Sequence, residues 1–253
     1  MLLAVDVGNT HVVVGLFAGE RLDRSWRIST RRQATADEFG VLLVGLLGDA
    51  ADEVTAGIVS SVVPPLTGQV FEALARLTGR EPLVVAPGVK TGLEIRTDNP
   101  QEVGADRIIN AVAAHARHGG PLVVVDFGTA TTLDVVTADG AYLGGIIAPG
   151  PHIGAEVLSE RAARLPRVDL TIPRRVIGRN TLDSIRSGLL YGHVELVDGL
   201  VRRVEAELGE SVRVVATGGL ATLIGPHLGR LDATDDDLTL FGLRLVHERN
   251  RPG

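Results

Sequence analysis

Two stretches of the sequence place an aspartate at the same point of a similar pattern. The first, LAVDVGNT, contains Asp6 and Gly8, and the second, VVVDFGTA, contains Asp126 and Gly128, each 120 residues later. An apolar run precedes each aspartate, and a glycine and a hydroxyl or amide side chain follow it. Because a carboxylate is costly to bury in an apolar strand without a partner, its repetition predicts two functional turns and a duplicated fold.

The first turn could bind a phosphate group and a hard cation. Gly8 allows a bend with no Cβ in the way, so backbone N–H groups and the side chains of Asn9 and Thr10 can face a phosphate. Asp6 could hold Mg²⁺, directly or through water, because hard cations prefer oxygen ligands. A plain β-hairpin with a turn-favouring Asn and Gly explains the same residues when this turn is taken alone.

The second turn continues into a threonine-rich segment, DFGTATTLD. Alternate residues of an extended strand share a face, so Thr129 and Thr131 are expected to point together. Threonine is also a good strand former, which by itself accounts for Thr131 and Thr132. Two such turns from two half-domains would form a cleft with a carboxylate on each wall, an arrangement that suits a nucleotide polyphosphate.

The tetrapeptide GADR supplies a third set of polar groups, at the predicted start of a helix. Asp106 and Arg107 lie in its first turn, where the helix dipole favours an anionic side chain and free N–H groups favour a bound anion. We expect the dipole to depress the pKa of Asp106 and make it a weak base, which phosphoryl transfer tolerates because proton removal is late. Arg107 could bind a carboxylate. An acidic first turn is also common in helices that have no such function.

An α/β pattern that restarts in the second half of the chain must position these residues. Hydrophobic periodicity predicts helices over residues 36–47, 66–78, 154–164 and 181–208, with Thr181 as the N-cap of the last. The order of strands followed by helix, strand and helix recurs after Pro121. The sequence therefore predicts two half-domains, residues 1–118 and 119–253.

Composition excludes several classes of protein. The 253 residues are 45% hydrophobic, which predicts a sizeable core, and the absence of cysteine excludes disulfides and thiol catalysis. A net charge of −6 without a basic stripe argues against nucleic acid as a partner. No apolar segment reaches the roughly 18 residues of a membrane helix, and no secretory signal is evident. We therefore expect no membrane partner and a cytoplasmic location.

The motifs in their order resemble those of a known family. DVGNTHVVVG, EVGADRIINAVAA, VVDFGTATTLD, GGIIAPG and ATGGLA are similar to motifs of the type III pantothenate kinases, and the likeness extends from Met1 to about Asn250. These enzymes belong to the acetate and sugar kinase, Hsp70 and actin superfamily. The resemblance implies a duplicated ribonuclease H-like fold, the actin-like ATPase fold, with two similar half-domains around a nucleotide cleft. It also implies ATP-dependent phosphorylation of pantothenate, the first step of coenzyme A synthesis.

The resemblance further implies roles for individual residues. Asp106 would be the catalytic proton acceptor, Arg107 would hold the carboxylate of pantothenate, and Gly104 and Ala105 would complete the substrate site. Asp126 would bind the monovalent cation, K⁺ or NH₄⁺, and Asp6 would bind Mg²⁺. Thr181 would contact the substrate across a homodimer interface. The residues implied to bind ATP and its phosphates are Asp6, Val7, Gly8, Asn9, Thr10, His11, Val12, Val13 and Thr129.

One position departs from the family pattern. The family usually carries an aromatic residue just before the DNP segment, where that side chain packs on pantothenate, and this chain has Thr97. Thr97 therefore keeps a second interpretation open, a kinase of another small hydroxyl compound on the same fold. A third interpretation is a nucleotide-binding regulatory protein without turnover.

Overall fold

The computed structural model describes residues 1–162 and 164–251. Contacts between backbone positions divide the chain into two compact units. The first unit comprises residues 1–93, residues 98–116 and the segment from residue 237 onward, and the second comprises residues 94–97 and 117–236. The final helix thus groups with the first unit, whereas the division into half-domains 1–118 and 119–253 stays a prediction.

The described residues form eleven strands and seven α-helices. The strands are β1 (Leu2–Val7), β2 (His11–Ala18), β3 (Arg21–Ser29), β4 (Ala56–Ser61), β5 (Leu83–Val84), β6 (Glu94–Ile95), β7 (Leu122–Phe127), β8 (Ala130–Val136), β9 (Ala141–Pro149), β10 (Arg213–Thr217) and β11 (Ala233–Thr234). The helices are α1 (Ala36–Leu47), α2 (Pro64–Thr78), α3 (Ala105–His118), α4 (Pro151–Arg161), α5 (Thr181–Leu208), α6 (Ala221–Ile224) and α7 (Leu238–Arg249). In this part of the chain, no helix is long and apolar enough to cross a membrane.

The first unit contains a five-stranded sheet in the order β3-β2-β1-β4-β5. Its central strand β1 runs antiparallel to β2 and parallel to β4. Leu3, Val5 and Val7 belong to a buried core with residues of α1 and α2. Because successive side chains of a strand point to opposite faces, Ala4 and Asp6 face the other side of the sheet.

Helix α7 covers part of that other face of the first sheet. A Cβ atom built on Gly15, the register partner of Ala4, would lie 2.8 Å from a methyl carbon of Leu240 in α7. Helix α7 also lies close to α3, because a Cβ atom on Gly242 would lie 2.3 Å from the carbonyl oxygen of Ile109. The absence of a side chain at Gly242 thus allows the helix that carries Asp106 to pack against α7.

The second unit repeats this topology. Its six-stranded sheet has the order β11-β10-β7-β8-β9-β6. Without β6, this order is that of the first sheet reversed, with β7 in the place of β1 and β10 in the place of β4. Strand β7 runs antiparallel to β8 and parallel to β10, as β1 does to β2 and β4. The duplicated α/β fold predicted from the sequence is therefore confirmed.

Bounds were predicted for four helices. Two of these helices have the predicted bounds, and two are shifted. Residues 36–47 and 181–208 are helical as predicted. Helix α2 begins two residues early, at Pro64, because proline fits the first helical turn, where its missing N–H would be unpaired in any case. Helix α4 begins at Pro151 for the same reason and ends at Arg161. Residue 163, inside the predicted helix, lies outside the described residues.

The predicted N-cap of α5 is wrong. Asn180, not Thr181, is the cap, because the Asn180 side chain accepts a hydrogen bond of 2.8 Å from the backbone N–H of Asp183. Thr181 is the first residue of the helix, and its side chain is exposed. Asparagine and threonine both favour the cap position, so residue type alone did not decide between these two neighbours.

Candidate active site

The turn after Asp6 is held closed by its own backbone. Gly8 donates its N–H to the carbonyl oxygen of His11 at 3.0 Å. A Cβ atom on Gly8 would lie 2.9 Å from that same oxygen, so any larger residue would push the turn open. Asn9, Thr10 and His11 are exposed. The turn therefore presents these three residues to solvent on a fixed backbone.

Two residues beyond β3 support this turn, and the sequence interpretation assigned neither of them a role. The Thr30 hydroxyl donates to the Gly8 carbonyl oxygen at 2.7 Å, and the Thr30 N–H donates to the Thr10 carbonyl oxygen at 3.0 Å. Arg32 donates from Nη2 to Oδ1 of Asn9 at 3.0 Å. Arg32 thus adds a positive charge to the predicted phosphate-binding turn. The segment WRISTRR contains no spacing that would have linked it to residues 20 positions earlier.

The predicted ATP-binding residues after Asp6 differ in how far their side chains are buried. The side chains of Val7 and Val12 are part of the buried core, so only their backbone atoms could contact a nucleotide. Val13 is half-buried and is the register partner of Asp6, which places both side chains on the same face of the sheet. The exposed group, Asn9, Thr10 and His11, offers side chains as well as backbone.

Asp6 itself is half-buried at the end of β1. No group of three or more His, Cys, Asp or Glu side chains that could hold a metal ion occurs in the described part of the chain. Nucleotide-bound Mg²⁺ does not require such a group, because phosphate oxygens and water fill most of its coordination sphere and one or two carboxylates suffice. A single, partly accessible carboxylate beside the predicted phosphate-binding turn fits that donor set.

Asp106 lies in the first turn of α3 and folds back on its own backbone. Its Oδ1 atom accepts a hydrogen bond of 2.9 Å from the Arg107 N–H. A Cβ atom on Gly104 would lie 2.6 Å from the same Oδ1, so the carboxylate occupies space that only glycine leaves free. Arg107 follows directly, and its Nη2 atom is buried. The GADR sequence thus places a carboxylate and a guanidinium side by side at a helix start.

The pKa of Asp106 is shifted in the direction opposite to the sequence expectation. Burial raises its pKa above the ordinary aspartate value of 3.8, and this effect exceeds the lowering by the Arg107 N–H and the Arg107 charge. The expected depression was wrong because the helix start is partly shielded from water, and desolvation disfavours the charged carboxylate. A carboxylate with a raised pKa is a stronger base than the sequence indicated.

The helix that carries Asp106 is fixed by distant contacts within the first unit. Ile108, Ile109, Ala111 and Val112 are buried on α3. The Thr239 hydroxyl of α7 donates to Oδ1 of Asn110 at 2.7 Å. These contacts join residues more than 120 positions apart, so they are invisible to local patterns.

In the second unit, three glycines surround the turn after Asp126. Gly128 donates its N–H to the Ala130 carbonyl oxygen at 3.1 Å, and Gly150 donates to that of Thr129 at 3.1 Å. Gly218, with a φ of +93°, approaches so closely that a Cβ atom there would lie 2.3 Å from Oδ1 of Asp126. The turn of the ATGGLA motif, which contains Gly218, therefore packs directly against Asp126.

The expectation that Thr129 and Thr131 point together is wrong. Thr129 lies in the turn and is exposed, whereas Thr131 lies in β8 and is fully buried, with its Oγ1 atom 2.7 Å from Nε2 of His193. Strand alternation begins only at Ala130, so it does not relate the two residues. Thr132 is the register partner of Asp126 and shares its face of the sheet.

Two further predicted positions lie in the second unit. Thr181 is exposed at the start of α5. Thr97 is half-buried. Its hydroxyl oxygen is buried and has no hydrogen-bond partner among the described residues. A Cβ atom on Gly144 would lie 3.7 Å from Cγ2 of Thr97, which is an ordinary packing distance.

Comparison with known proteins agrees with the motifs on which this geometry rests. Residues 2–203 match the family model described as type III pantothenate kinase. The chain belongs to the type III pantothenate kinase family. The type III pantothenate kinase of Geobacter sulfurreducens is 52% identical over 99% of this chain and 100% of that protein.

Solved structures at lower identity share the fold. A Baf family protein of Campylobacter jejuni is similar with a TM-score of 0.64 and 18% identity, over 98% of both chains. A ROK hexokinase of Thermus thermophilus is similar with a TM-score of 0.54 and 16% identity, over 97% of both chains. The folds of these solved structures thus agree with the duplicated sheets of this chain.

The contact between Gly218 and Asp126 predicts the effect of a single methyl group. Gly218→Ala adds a Cβ atom in a positive-φ conformation and also against Asp126, so we expect lower stability, by about 2 kcal/mol or more, and lower activity. Gly209→Ala is the control, because Gly209 has a φ of +73° but its Cβ would meet no described atom within 4 Å. Urea unfolding measures the stability of both variants. Equal losses of stability would contradict a steric role for Gly218.

Proposed function

We propose that this chain transfers the γ-phosphoryl group of ATP to a hydroxyl of pantothenate and forms 4′-phosphopantothenate, the first step of coenzyme A synthesis. The observation that carries this proposal is the partly buried Asp106 at the start of α3, in a chain that belongs to the type III pantothenate kinase family. Its raised pKa suits a residue that accepts the proton of the attacking hydroxyl.

The two charged residues of GADR have different roles towards the substrate. Ionised Asp106 accepts the hydroxyl proton as the oxygen attacks the γ-phosphorus atom. Arg107 holds the carboxylate of pantothenate by charge-assisted hydrogen bonds, for which a guanidinium is well suited. Gly104 and Ala105 complete the substrate site beside the carboxylate. Catalysis is then mainly a matter of positioning, as the loose transition state of phosphoryl transfer requires.

The two aspartate turns hold the nucleotide and its ions. The backbone N–H groups of the Asp6 turn, supported by Thr30 and Arg32, bind phosphate oxygens, and Asp6 holds Mg²⁺ directly or through water. Mg²⁺, when bound, neutralises charge on the phosphates. Asp126 holds a monovalent cation, K⁺ or NH₄⁺, and Thr129 contacts ATP. The exposure of Thr129 and the partial exposure of Asp126 support these two assignments, because both side chains are accessible to a ligand.

A homodimer that brings Thr181 to the substrate of a second copy is the proposed assembly. Large apolar side chains are exposed close to Thr181 along the chain, with 64% of Val176, 82% of Ile177 and 40% of Leu182 accessible. Exposed apolar groups of this kind favour burial against a partner surface. A cytoplasmic location stays a prediction from the sequence.

Thr97 supports a second candidate, a kinase of another small hydroxyl compound. Its hydroxyl oxygen is buried and, in the described part of the chain, has no hydrogen-bond partner, so a polar substrate group could satisfy it. A phenylalanine at this position could not make that contact, because its ring has no hydrogen-bonding group. A panel of small alcohols in place of pantothenate separates the two candidates, because only the preferred substrate will support turnover at low concentration.

The direct test of the proposed function is release of ADP in the presence of ATP, Mg²⁺ and K⁺. We expect release to depend on added pantothenate and to fall when K⁺ is replaced by Na⁺. ADP release that is unchanged without pantothenate would contradict the proposed substrate. Release at full rate without K⁺ or NH₄⁺ would contradict the role of Asp126.

Replacement of Asp106 separates catalysis from stability. We expect Asp106→Asn to lower kcat at least about 100-fold, because the base is lost, while ATP still binds. Because the folded pKa is raised, burial of the ionised carboxylate destabilises the fold above that pKa, so the variant should be more stable than the parent at pH 7. This gain should shrink as the pH falls through the raised pKa towards the ordinary value of 3.8, and it should be absent below 3.8.

The matched control for that variant is Asp52→Asn, which neutralises an exposed carboxylate of the same unit. Thermal unfolding and steady-state kinetics are compared for both variants. The parent's kcat should fall on acidification with an apparent pKa above 3.8. Normal turnover in Asp106→Asn would remove Asp106 from the role of base.

Replacement of an exposed apolar residue tests the proposed dimer. We expect the parent chain to sediment as a dimer, and Ile177→Glu to shift it to the monomer and lower activity, because a charge would be buried in the interface. Val41→Glu is the control, since Val41 is 76% exposed on α1 in the other unit. If Val41→Glu dissociates the dimer and Ile177→Glu does not, the interface does not include Ile177.

A further inference from the structure

Ser60 carries a buried hydroxyl group that no other described residue hydrogen-bonds. Its relative exposure is 0%, and among the described residues its Oγ atom has no hydrogen-bond partner. A buried hydroxyl without a partner destabilises a protein, and native structures contain few of them. The group therefore calls for a partner that the polypeptide itself does not supply.

The position of Ser60 in the sheet indicates what that partner is. Strand β4 runs parallel to β1, and Ser60 is the register partner of Asp6. Val59 belongs to the core on the α1 and α2 side of the sheet, so Ser60 points to the opposite face, which is also the face of Asp6. The unsatisfied hydroxyl thus lies beside the carboxylate that we assign to the nucleotide-bound metal ion.

The next residue shows that the segment can satisfy a serine when the role is structural. The hydroxyl oxygen of Ser61 accepts hydrogen bonds from the Thr67 hydroxyl at 2.8 Å and from the Val63 N–H at 3.1 Å. These bonds tie the end of β4 to the start of α2. Ser60 and Ser61 are adjacent residues of one strand with the same side chain, and they differ in whether the protein provides a partner.

The duplicated sheet repeats the arrangement of Ser60. Thr217, the last residue of β10, is the register partner of Asp126 on the parallel strand and is 2% exposed. Each of the two aspartates therefore has a buried hydroxyl residue beside it, on the corresponding strand of its sheet. The repetition extends to the register and the hydroxyl side chain, and it places such a residue beside each of the two aspartates that we propose bind ions.

We propose that Ser60 is a positioning residue whose hydroxyl hydrogen-bonds a water molecule carried by the Mg²⁺ of bound Mg·ATP beside Asp6. The inference rests on the proposed function, because it requires a nucleotide-bound metal ion at Asp6. Mg²⁺ dehydrates reluctantly and keeps several waters in nucleotide sites, and hydrogen bonds to such ligands orient the metal. Binding then satisfies the Ser60 hydroxyl, which is unsatisfied in the free protein.

The test compares Ser60→Ala with Ser61→Ala and with Ser60→Thr, the residue found at the equivalent position of the second sheet. Without nucleotide, Ser60→Ala should unfold at the same temperature as the parent or higher, because it removes an unsatisfied group. Ser61→Ala should unfold at a lower temperature. Ser60→Ala should bind Mn²⁺ about 10-fold more weakly in the presence of a non-hydrolysable ATP analogue, as measured by electron paramagnetic resonance.

Kinetics provide the second readout of the same three variants. Ser60→Ala should lower kcat about 10- to 100-fold with little change in the KM for pantothenate, and Ser60→Thr should restore much of both kcat and Mn²⁺ affinity. Ser61→Ala should keep the kcat of the parent. A merely structural serine would lower the unfolding temperature and would leave the metal affinity of the folded protein unchanged.

Two results would overturn the proposal. One is parental Mn²⁺ affinity in Ser60→Ala, and the other is a lower unfolding temperature of that variant without nucleotide, which would show that the hydroxyl has a structural partner. If Ser60→Thr does not fold, the comparison of Ser60→Ala with Ser61→Ala still decides. Failure of the proposed function is distinguishable, because the parent would then release no pantothenate-dependent ADP, while the Mn²⁺ measurement would still test Ser60.

Discussion

The partial burial of one carboxylate, that of Asp106, is the constraint on which the proposed chemistry depends. Desolvation outweighs both the Arg107 N–H and the Arg107 charge, so the pKa of Asp106 is raised although it lies at a helix start. Gly104 makes this position possible, because a Cβ atom there would occupy the space of the carboxylate oxygen. Gly242 contributes indirectly, since it lets α3 pack against α7. A stronger base is thus obtained at the expense of stability, a common feature of active sites.

The same topology serves both aspartate turns. In each sheet the aspartate lies near the end of the central strand, next to a strand that runs parallel to it and opposite a strand that runs antiparallel. Sites in α/β folds commonly lie at the carboxyl ends of parallel strands. The two turns nevertheless differ in their support, because side chains of Thr30 and Arg32 hold the first, whereas Gly150 and Gly218 pack around the second. The two turns thus have different surroundings although the topology of their strands is the same.

Helix bounds and functional turns could be predicted from the sequence, whereas contacts between distant residues could not. The bounds of α1 follow from periodicity and from a capping box between Thr35 and Glu38, both of which are encoded locally. The two aspartate turns were recognisable because a carboxylate inside an apolar run is unusual. The sign of the Asp106 pKa shift could not be predicted, because the helix dipole is a local property, whereas the burial of a side chain depends on the tertiary structure around it. Ser60 was missed because a serine in a strand has no distinctive pattern until its register with Asp6 is known.

The protonation equilibrium of Asp106 tests the central claim most directly. The carboxyl ¹³C resonance of Asp106, assigned by its absence in Asp106→Asn, can be followed by NMR as the pH is varied in the free protein. The account predicts a midpoint above the ordinary aspartate value of 3.8, because desolvation exceeds the lowering by the Arg107 N–H and the Arg107 charge. A midpoint at or below that value would show that the helix start and Arg107 dominate, and it would contradict the account of Asp106 as a base strengthened by burial.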